Sequence, residues 1–151
     1  MDFPLTLAAI FRRAETLSAV REIVTRLPDK TIHRYRYRDF AERTRRLVRA
    51  LHDLGVQPGD RVATLAWNHY QHLEAYFAVP LAGGVLHTLN LRLHHDELGY
   101  IINHAGDRAL IVDRSLLPLY ERIRPLVSIP AVIVVGEALA KYIVLATRVP
   151  V

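Results

Sequence analysis

The sequence contains no cysteine and only three serines among its 151 residues. The absence of cysteine excludes disulfides, thiolate metal sites and cysteine nucleophiles. None of the serines (Ser18, Ser115 and Ser128) stands in a G-x-S-x-G motif, so a hydrolase-type nucleophile is also missing. No uninterrupted apolar run reaches the roughly 18 residues of a membrane-spanning helix. We therefore expect a soluble chain without a transmembrane segment.

Two further signals are missing, a phosphate-binding loop and a signal peptide. Gly83-Gly84 is the only glycine pair, and neither G-x-G-x-x-G nor G-x-x-x-x-G-K-[ST] occurs. Near the N-terminus, Asp2, Arg12 and Arg13 interrupt the apolar core that a signal peptide requires. The chain therefore lacks the usual nucleotide-contacting loop, and we expect a cytoplasmic location.

The formal charge is +5, from 20 Lys plus Arg and 15 Asp plus Glu. The excess is local, because the stretch from Arg26 to Arg49 carries nine basic residues and three acidic ones. A patch confined to one hairpin and one helix is most simply a solvated face, and we do not expect a nucleic-acid partner. An anionic partner surface and a subunit contact remain the alternatives.

Hydrophobic periodicity predicts alternating helices and strands. The predicted elements are a helix within residues 3–18 with Thr6 as N-cap, a hairpin of Ala19–Leu27 and Thr31–Tyr37, helices from Asp39 to Leu54, Tyr70–Leu81, His95–His104 and Leu116–Leu126, and strands Arg61–Trp67, Val85–Thr88, Arg108–Val112 and Ala131–Val135. This order predicts an α/β fold, a mostly parallel sheet flanked by helices and preceded by an antiparallel hairpin. We expect residues 1–135 to form one incomplete N-terminal subdomain and residues 136–151 a divergent tail.

Eight histidines raise the question of a metal or acid-base site. His69 and His72 are three residues apart, but only two ligands would come from that element, with Glu74 less favourably placed. His94 and His95 are adjacent at a helix start, where we expect them to point apart and to cap the helix. The remaining histidines stand singly; they are His33, His52, His87 and His104. We predict surface or boundary histidines and no metal site.

Two stretches resemble a known family. They are GVQPGDRVATLAWNHYQHLEAYFAVPLAGGVLHTLNLRL (residues 55–93) and ELGYIINHAGDRALIVD (residues 97–113). Both are similar to the N-terminal region of acyl-CoA synthetases of the adenylate-forming, AMP-binding superfamily, nearest to medium- and long-chain fatty-acid CoA ligases and methylmercaptopropionate-CoA ligases. The similarity extends from about residue 5 to residue 135.

The resemblance implies a reaction but no site residue in this chain. Such enzymes use ATP and Mg²⁺ to convert a carboxylate to an acyl adenylate and then transfer the acyl group to CoA. In the family, the phosphate loop, the metal-binding Thr-Glu pair, the ribose-binding Asp and the adenylation Lys all lie downstream, and Lys30 and Lys141 match neither lysine context. The matching polar residues belong to scaffolding in the family; they are Asn68, His69, Glu74, His87 and Asn90. We assign no catalytic, cofactor-binding or metal-binding residue, and we expect no cofactor in this chain.

The chain also departs from the family. Relatives usually start two of the helices after Thr or Ser, whereas this chain has Arg36 and His94, which costs about 1 kcal/mol per cap unless a neighbour such as Asp39 or Asp96 substitutes. Leu91 stands where relatives often have proline. After residue 135 the sequence becomes GEALAKYIVLATRVPV and ends before the phosphate loop.

These observations favour a truncated ligase homologue that is inactive alone. Two alternatives stay open: an interaction module that pairs with itself or with a full-length synthetase, and one piece of a split ligase. The tail carries strand-forming apolar residues that would either cover the sheet or promote association; they are Leu139, Tyr142, Ile143, Val144 and Leu145. We expect a homodimer or a larger assembly.

Overall fold

The computed structural model describes residues 4–27 and 29–136, together with the backbone of residues 143–146. In chain order the elements are α1 (Leu7–Leu17), β1 (Glu22–Arg26), β2 (Ile32–Arg36), α2 (Tyr37–Asp53), β3 (Arg61–Leu65), α3 (Tyr70–Leu81), β4 (Val85–Thr88), α4 (His95–Ala105), β5 (Ala109–Asp113), α5 (Leu117–Ile123), β6 (Ala131–Val135) and β7 (Ile143–Ala146). The predicted α/β fold is confirmed.

The main sheet has the strand order β4-β3-β5-β6-β7. Strands β3 to β6 are parallel, and β7 pairs antiparallel with β6. The chain moves from β3 outward to β4 and then crosses back to β5 on the other side of β3. The direction of winding therefore reverses between β3 and β5. Strands β1 and β2 form a separate antiparallel hairpin, as the sequence predicts.

The central strands bury side chains on both faces, as parallel strands usually do. On β5, Ile111 faces the cluster that contains Leu47 and Leu51 of α2, together with Ala78 of α3. Its neighbour Leu110 faces the opposite cluster, to which α4 and α5 contribute. The sheet therefore lies between two helical layers, with α2 and α3 on one side and α4 and α5 on the other.

A third layer lies over α2 and α3. Phe11 of α1 packs against Phe40 of α2 at 5.7 Å between ring centroids and against Phe77 of α3 at 6.0 Å. In the hairpin, His33 stacks on Tyr70 of α3 at 4.0 Å. Helix α1 and the hairpin are therefore held on the domain by aromatic contacts with α3.

Two helices begin without a side-chain N-cap bond, but a carboxylate in the first turn of each binds the backbone of the residue before the helix. Asp39 accepts a hydrogen bond from the backbone N–H of Arg36 at 3.0 Å, and α2 starts at Tyr37, two residues earlier than predicted. At the start of α4 the accepting residue is Glu97, whose Oε2 lies 2.9 Å from the His94 nitrogen, and not the proposed Asp96. The third position of each helix is where a carboxylate can reach back to the residue before it. Thr6 caps α1 as predicted.

The segment predicted as one helix, Leu116–Leu126, is shorter and divided. Only Leu117–Ile123 is α-helical, and 3₁₀ turns flank it at Arg114–Leu116 and Arg124–Leu126. Pro125 has no N–H to donate to the preceding turn, so the α-helical ladder stops before it. The tighter turns then carry the chain to β6.

Part of the predicted tail joins the sheet. Backbone pairing runs from Ala131↔Ala146 to Val134↔Ile143, so β7 covers the edge of β6. The tail residues Leu139 and Tyr142 lie outside the described part of the chain. A division of the chain at residue 135 stays a prediction.

A buried ion pair joins the two helices on one sheet face. The Glu74 carboxylate is fully buried and accepts two hydrogen bonds from Arg43, at 2.6 Å from Nε and 3.2 Å from Nη2. The Arg43 guanidinium also lies 5.3 Å from the centroid of the Tyr70 ring. The pair therefore links α2, α3 and the ring on which the hairpin rests.

We predict that Arg43→Ala lowers the free energy of unfolding by about 3 kcal/mol or more, because it leaves a buried carboxylate without its guanidinium. Arg46→Ala is the matched control, since it breaks an exposed pair with Glu42 on the same helix and should cost less than about 1 kcal/mol. Urea denaturation followed by circular dichroism measures both. Equal losses in the two variants would contradict the role given to the buried pair.

We predict that deleting residues 138–151 increases aggregation, because the deletion uncovers the backbone edge of β6. Deleting residues 147–151 is the control, since it leaves the β7 residues in the chain. Light scattering of both variants and of the full chain, at equal concentration, gives the comparison. If the larger deletion instead improves solubility, the tail is the associating element.

Candidate functional site

The reversal of winding between β3 and β5 leaves a crevice beyond the carboxyl ends of these strands. In open α/β sheets, ligands bind at such a position. Here the crevice is bordered by the segment Trp67, Asn68 and His69 after β3, and by Asp113 and Ser115 at the end of β5. These residues are far apart in sequence and meet because β3 and β5 are neighbours.

A buried histidine–carboxylate pair lies at this crevice. His69 is the N-cap of α3, and its Nδ1 accepts a hydrogen bond from the His72 backbone N–H at 3.3 Å. Because Nδ1 accepts, the imidazole proton resides on Nε2, which lies 2.5 Å from Asp113 Oδ2. Both side chains are more than nine-tenths buried. The pair joins the start of α3 to the end of β5.

Ser115 completes the network and orients the tryptophan. The other Asp113 oxygen accepts from the Ser115 backbone N–H at 2.8 Å and from the Ser115 hydroxyl at 2.6 Å. Trp67 Nε1 donates to the same hydroxyl oxygen at 3.0 Å. Both carboxylate oxygens and the indole N–H are therefore engaged within the protein.

At Asp113, hydrogen bonds lower the pKa by more than burial raises it. Burial raises the pKa of this carboxyl, but the bonds from His69 and Ser115 stabilise its charged form more strongly, so its pKa lies below the ordinary value. Burial lowers the pKa of His72, and the neighbouring His69 lowers it further, while the nearby Trp67 backbone opposes this shift. His72 is therefore held in its neutral form.

The structure does not bring His69, His72 and Glu74 together as metal ligands. His69 is directed to Asp113, and His72 Nε2 lies 3.0 Å from Thr64 Oγ1. Glu74 is bound to Arg43. The three side chains have separate partners because successive positions on α3 face different neighbours.

The expectation that His94 and His95 point apart is wrong. Their ring centroids are 3.9 Å apart, and with Asp96 they form the one group of three potential metal ligands among the described residues. However, Arg122 Nη2 lies 3.1 Å from His95 Nδ1, which places the imidazole proton on Nε2, the atom facing Asp96. Arg122 and Asp96 therefore already flank the His95 ring.

In a second histidine–carboxylate pair the pKa of the carboxyl is raised and not lowered. His87 Nδ1 lies 3.0 and 2.9 Å from the two oxygens of Asp107, which is fully buried. Burial raises the pKa of Asp107, and His87 and Arg61 offset this only in part. The pair connects β4 to the turn before β5.

The other residues that match the family are also accounted for. Asn90 Oδ1 accepts from the Arg92 backbone N–H at 3.1 Å, as in a local turn. Asn68 lies on the wall of a cleft of about 510 Å³ between the hairpin loop and the end of β3. The lining residues of this cleft are Arg26, Leu27, Lys30, Trp67, Asn68 and His69. Lys30 adopts a left-handed conformation with φ of 73°, which glycine adopts more readily than lysine.

Sequence reasoning missed Trp67, Asp113 and Ser115 as parts of one network. The signal was present, because polar residues follow two predicted parallel strands and the carboxyl ends of such strands share one edge. The strand order was needed to show that β3 and β5 are adjacent.

Comparison with known proteins identifies the family. The sequence profile of the AMP-binding enzymes matches residues 11–148. The long-chain-fatty-acid–CoA ligase of Thermus thermophilus is 52% identical over 124 residues, which are 82% of this chain and 23% of that protein. The 3-methylmercaptopropionyl-CoA ligase of Ruegeria lacuscaerulensis is 44% identical, again over 82% of this chain and 23% of the relative.

Superposition on a solved structure also indicates an adenylate-forming ligase. The crystal structure of the anthranilate CoA ligase AuaEII in complex with anthranoyl-AMP superposes with a TM-score of 0.76 at 27% identity, covering 89% of this chain and 26% of that one. The chain belongs to the family of AMP-binding enzymes and has the fold of the N-terminal part of an adenylate-forming ligase. It spans about a quarter of the length of the relatives it matches. Among the described residues, no helix is both long and apolar enough to cross a membrane.

The opposite pKa shifts of Asp113 and Asp107 predict opposite effects of pH on the free energy of unfolding. Because the pKa of Asp113 is lower in the folded chain than in the unfolded chain, this carboxylate stabilises the fold at pH values above its unfolded-state pKa. The stabilisation is lost as the pH falls through its folded-state pKa. Because the pKa of Asp107 is higher in the folded chain, the protonated carboxyl stabilises the fold at pH values below its unfolded-state pKa. This contribution is lost as the pH rises through its folded-state pKa. Over roughly pH 3 to 6, Asp113→Asn should therefore flatten the acid-side loss of stability, whereas Asp107→Asn should steepen it. Urea unfolding at each pH measures the slopes, and a parallel change in both variants would contradict this assignment.

Proposed function

We propose that this chain is the N-terminal scaffold of a fatty-acyl-CoA ligase and is inactive by itself. The reaction of the whole enzyme would join a carboxylate to the α-phosphate of ATP with release of pyrophosphate, after which the CoA thiol displaces AMP. The identity to CoA ligases over most of this chain supports the reaction class. The cytoplasm is the proposed location.

The observation that carries the proposal is that four side chains at the crevice bond one another: Trp67, His69, Asp113 and Ser115. The carboxylate of Asp113 uses both oxygens within the protein, His69 uses both ring nitrogens, and Ser115 both donates and accepts. Each carboxylate oxygen of Asp113 already accepts a hydrogen bond within the protein, and no glycine-rich turn of the sequence offers backbone amides to a triphosphate. These residues do not fit Mg-ATP.

The network instead fits a structural role. It ties the loop after β3, the start of α3 and the end of β5 into one edge of the sheet. A rigid edge at the reversal of winding is a suitable support for ligand-binding segments supplied from elsewhere. In both the split-ligase and the interaction-module alternatives, a partner chain would bind this rigid edge. The two differ in whether that partner carries the phosphate loop.

We predict no acid-dependent exchange of pyrophosphate into ATP by the purified chain with fatty acids, because the electrostatic groups that stabilise adenylate formation are missing from its sequence. Calorimetry with Mg-ATP should detect no sub-millimolar site. A complete relative assayed in parallel serves as the positive control. Exchange above that of a mock purification, or saturable micromolar binding of ATP, would overturn the proposal.

The same assay separates the alternatives. If exchange appears only after adding a chain that contains the Ser/Thr/Gly-rich loop, the split-ligase alternative is correct. If that chain co-elutes with this one in size-exclusion chromatography and exchange does not increase, the interaction-module alternative gains support.

A further inference from the structure

The cleft between the hairpin loop and the end of β3 is large enough for a small organic molecule. Its volume is about 510 Å³, and small-molecule sites in proteins usually measure about 300–1,000 Å³. Trp67, Asn68 and His69 bring it next to the reversal of winding between β3 and β5, where open α/β sheets bind ligands. We call it the Trp67 cleft, because the single tryptophan of the sequence forms part of its wall.

The apolar wall of the Trp67 cleft is oriented by bonds within the protein. Trp67 Nε1 donates to Ser115 Oγ at 3.0 Å, and the Ser115 hydroxyl donates in turn to Asp113 at 2.6 Å. The indole N–H is thus already bonded, while 45% of Trp67 is exposed. Leu27 adds a second apolar side chain to the wall. The available part of the indole therefore offers ring surface and not a hydrogen bond, which favours a ligand with an aromatic ring.

Two cations at the Trp67 cleft have no carboxylate partner. Arg26 ends β1 and Lys30 lies in the hairpin loop, and both are exposed. Neither makes an ion pair with any residue that the structure describes. By contrast, Arg34 of the same hairpin is paired with Glu22. The cleft therefore presents unneutralised positive charge beside its apolar wall, and this combination suits an organic anion.

The hairpin loop fixes the backbone of Lys30 at the cleft. Its N–H donates to the Leu27 carbonyl at 2.9 Å, and its φ of 73° lies in the left-handed region. Glycine adopts this conformation at less cost than any residue with a side chain. A lysine here thus gives up some backbone stability and adds an amine to the lining of the cleft.

A nearby carboxylate limits the charge that the ligand can carry. Asp29 precedes Lys30, and hydrogen bonds from the Thr31 hydroxyl at 2.7 Å and the Thr31 N–H at 2.9 Å lower its pKa. Asp29 is therefore ionised at neutral pH and offsets one of the two cations. The wall also contains His69, the N-cap of α3, where the helix dipole is positive. This balance fits a single negative charge better than the several charges of a nucleoside triphosphate.

We propose that the Trp67 cleft binds a small aromatic anion. The ring of the ligand would stack on the exposed part of the Trp67 indole, and Arg26 and Lys30 would receive its negative charge. Aromatic carboxylates and aromatic sulfonates share this chemistry. The proposal does not depend on the ligase assignment, since a sulfonate cannot replace a carboxylate in acyl transfer and its binding tests the cleft alone.

The test is a ligand titration of the full chain followed by proton–nitrogen correlation NMR. Because Trp67 is the only tryptophan, its indole N–H gives one signal that reports on the cleft. Naphthoate and naphthalenesulfonate should shift this signal saturably, with a dissociation constant of about 1 mM or tighter. Three analogues should bind much more weakly: naphthalenemethanol lacks the charge, decahydronaphthoate lacks the aromatic ring system, and acetate lacks both rings. Added salt should weaken the binding of both aromatic anions.

Two variants remove one cation each from the cleft. Arg26→Gln and Lys30→Gly should each weaken binding about fivefold. Lys30→Gly keeps the loop intact, because glycine favours the left-handed backbone, and Lys30→Arg should retain binding. Arg34→Gln is the matched control, since it removes the same charge from the same hairpin at a residue that does not line the cleft. Circular dichroism melting identifies variants that fold like the full chain, and only these are compared.

Each outcome decides the proposal. Saturable binding of both aromatic anions that falls with Arg26→Gln and Lys30→Gly, and not with Arg34→Gln, supports it. Binding of the neutral or the saturated analogue as tight as that of naphthoate overturns it, as does equal loss in the control variant. A signal that does not move, or that moves without saturation up to about 10 mM, also overturns it. If naphthoate binds and naphthalenesulfonate does not, recognition through ring and charge alone is wrong.

Discussion

Burial of the central strands on both faces is the constraint on which the remainder of the domain depends. Strands β3, β5 and β6 have few polar side chains, so helices must cover both sides of the sheet. Covering both sides requires the chain to reverse its winding, and the reversal falls between β3 and β5. The position of the crevice is therefore a consequence of covering the sheet.

Polar contacts then fix the layers that hydrophobic packing brings together. Arg43 and Glu74 join the two helices of one layer, while His69 and Asp113 join a helix start to a strand end. Such contacts have restrictive geometry, so they select one arrangement of elements that apolar packing alone would tolerate with small shifts. The scaffold role proposed for the chain depends on this restriction.

Much of the fold could be predicted from periodicity, whereas the polar network could not. The continuous apolar runs at residues 109–112 and 131–135 indicate buried strands whatever their neighbours are. Helix α2 starts two residues before Asp39, whose carboxylate binds the backbone of the residue that precedes the helix. Helix α5 ends before Pro125, which has no N–H for an α-helical hydrogen bond. The His69–Asp113 pair depends on which strands are adjacent, and adjacency is a property of the whole chain that local sequence patterns do not contain. For the same reason, the closeness of His94 and His95 was missed, since Arg122 approaches them from another helix.

The single tryptophan lies where the ends of β3 and β5 meet the hairpin loop. Trp67 follows β3, donates to Ser115 after β5, and lines the cleft bordered by the hairpin loop. Its indole is 45% exposed, so its emission depends on how completely these parts exclude water. The protein thus carries an intrinsic optical probe at the junction of hairpin and sheet. Stopped-flow fluorescence during refolding would time the docking of the hairpin separately from the growth of helical signal.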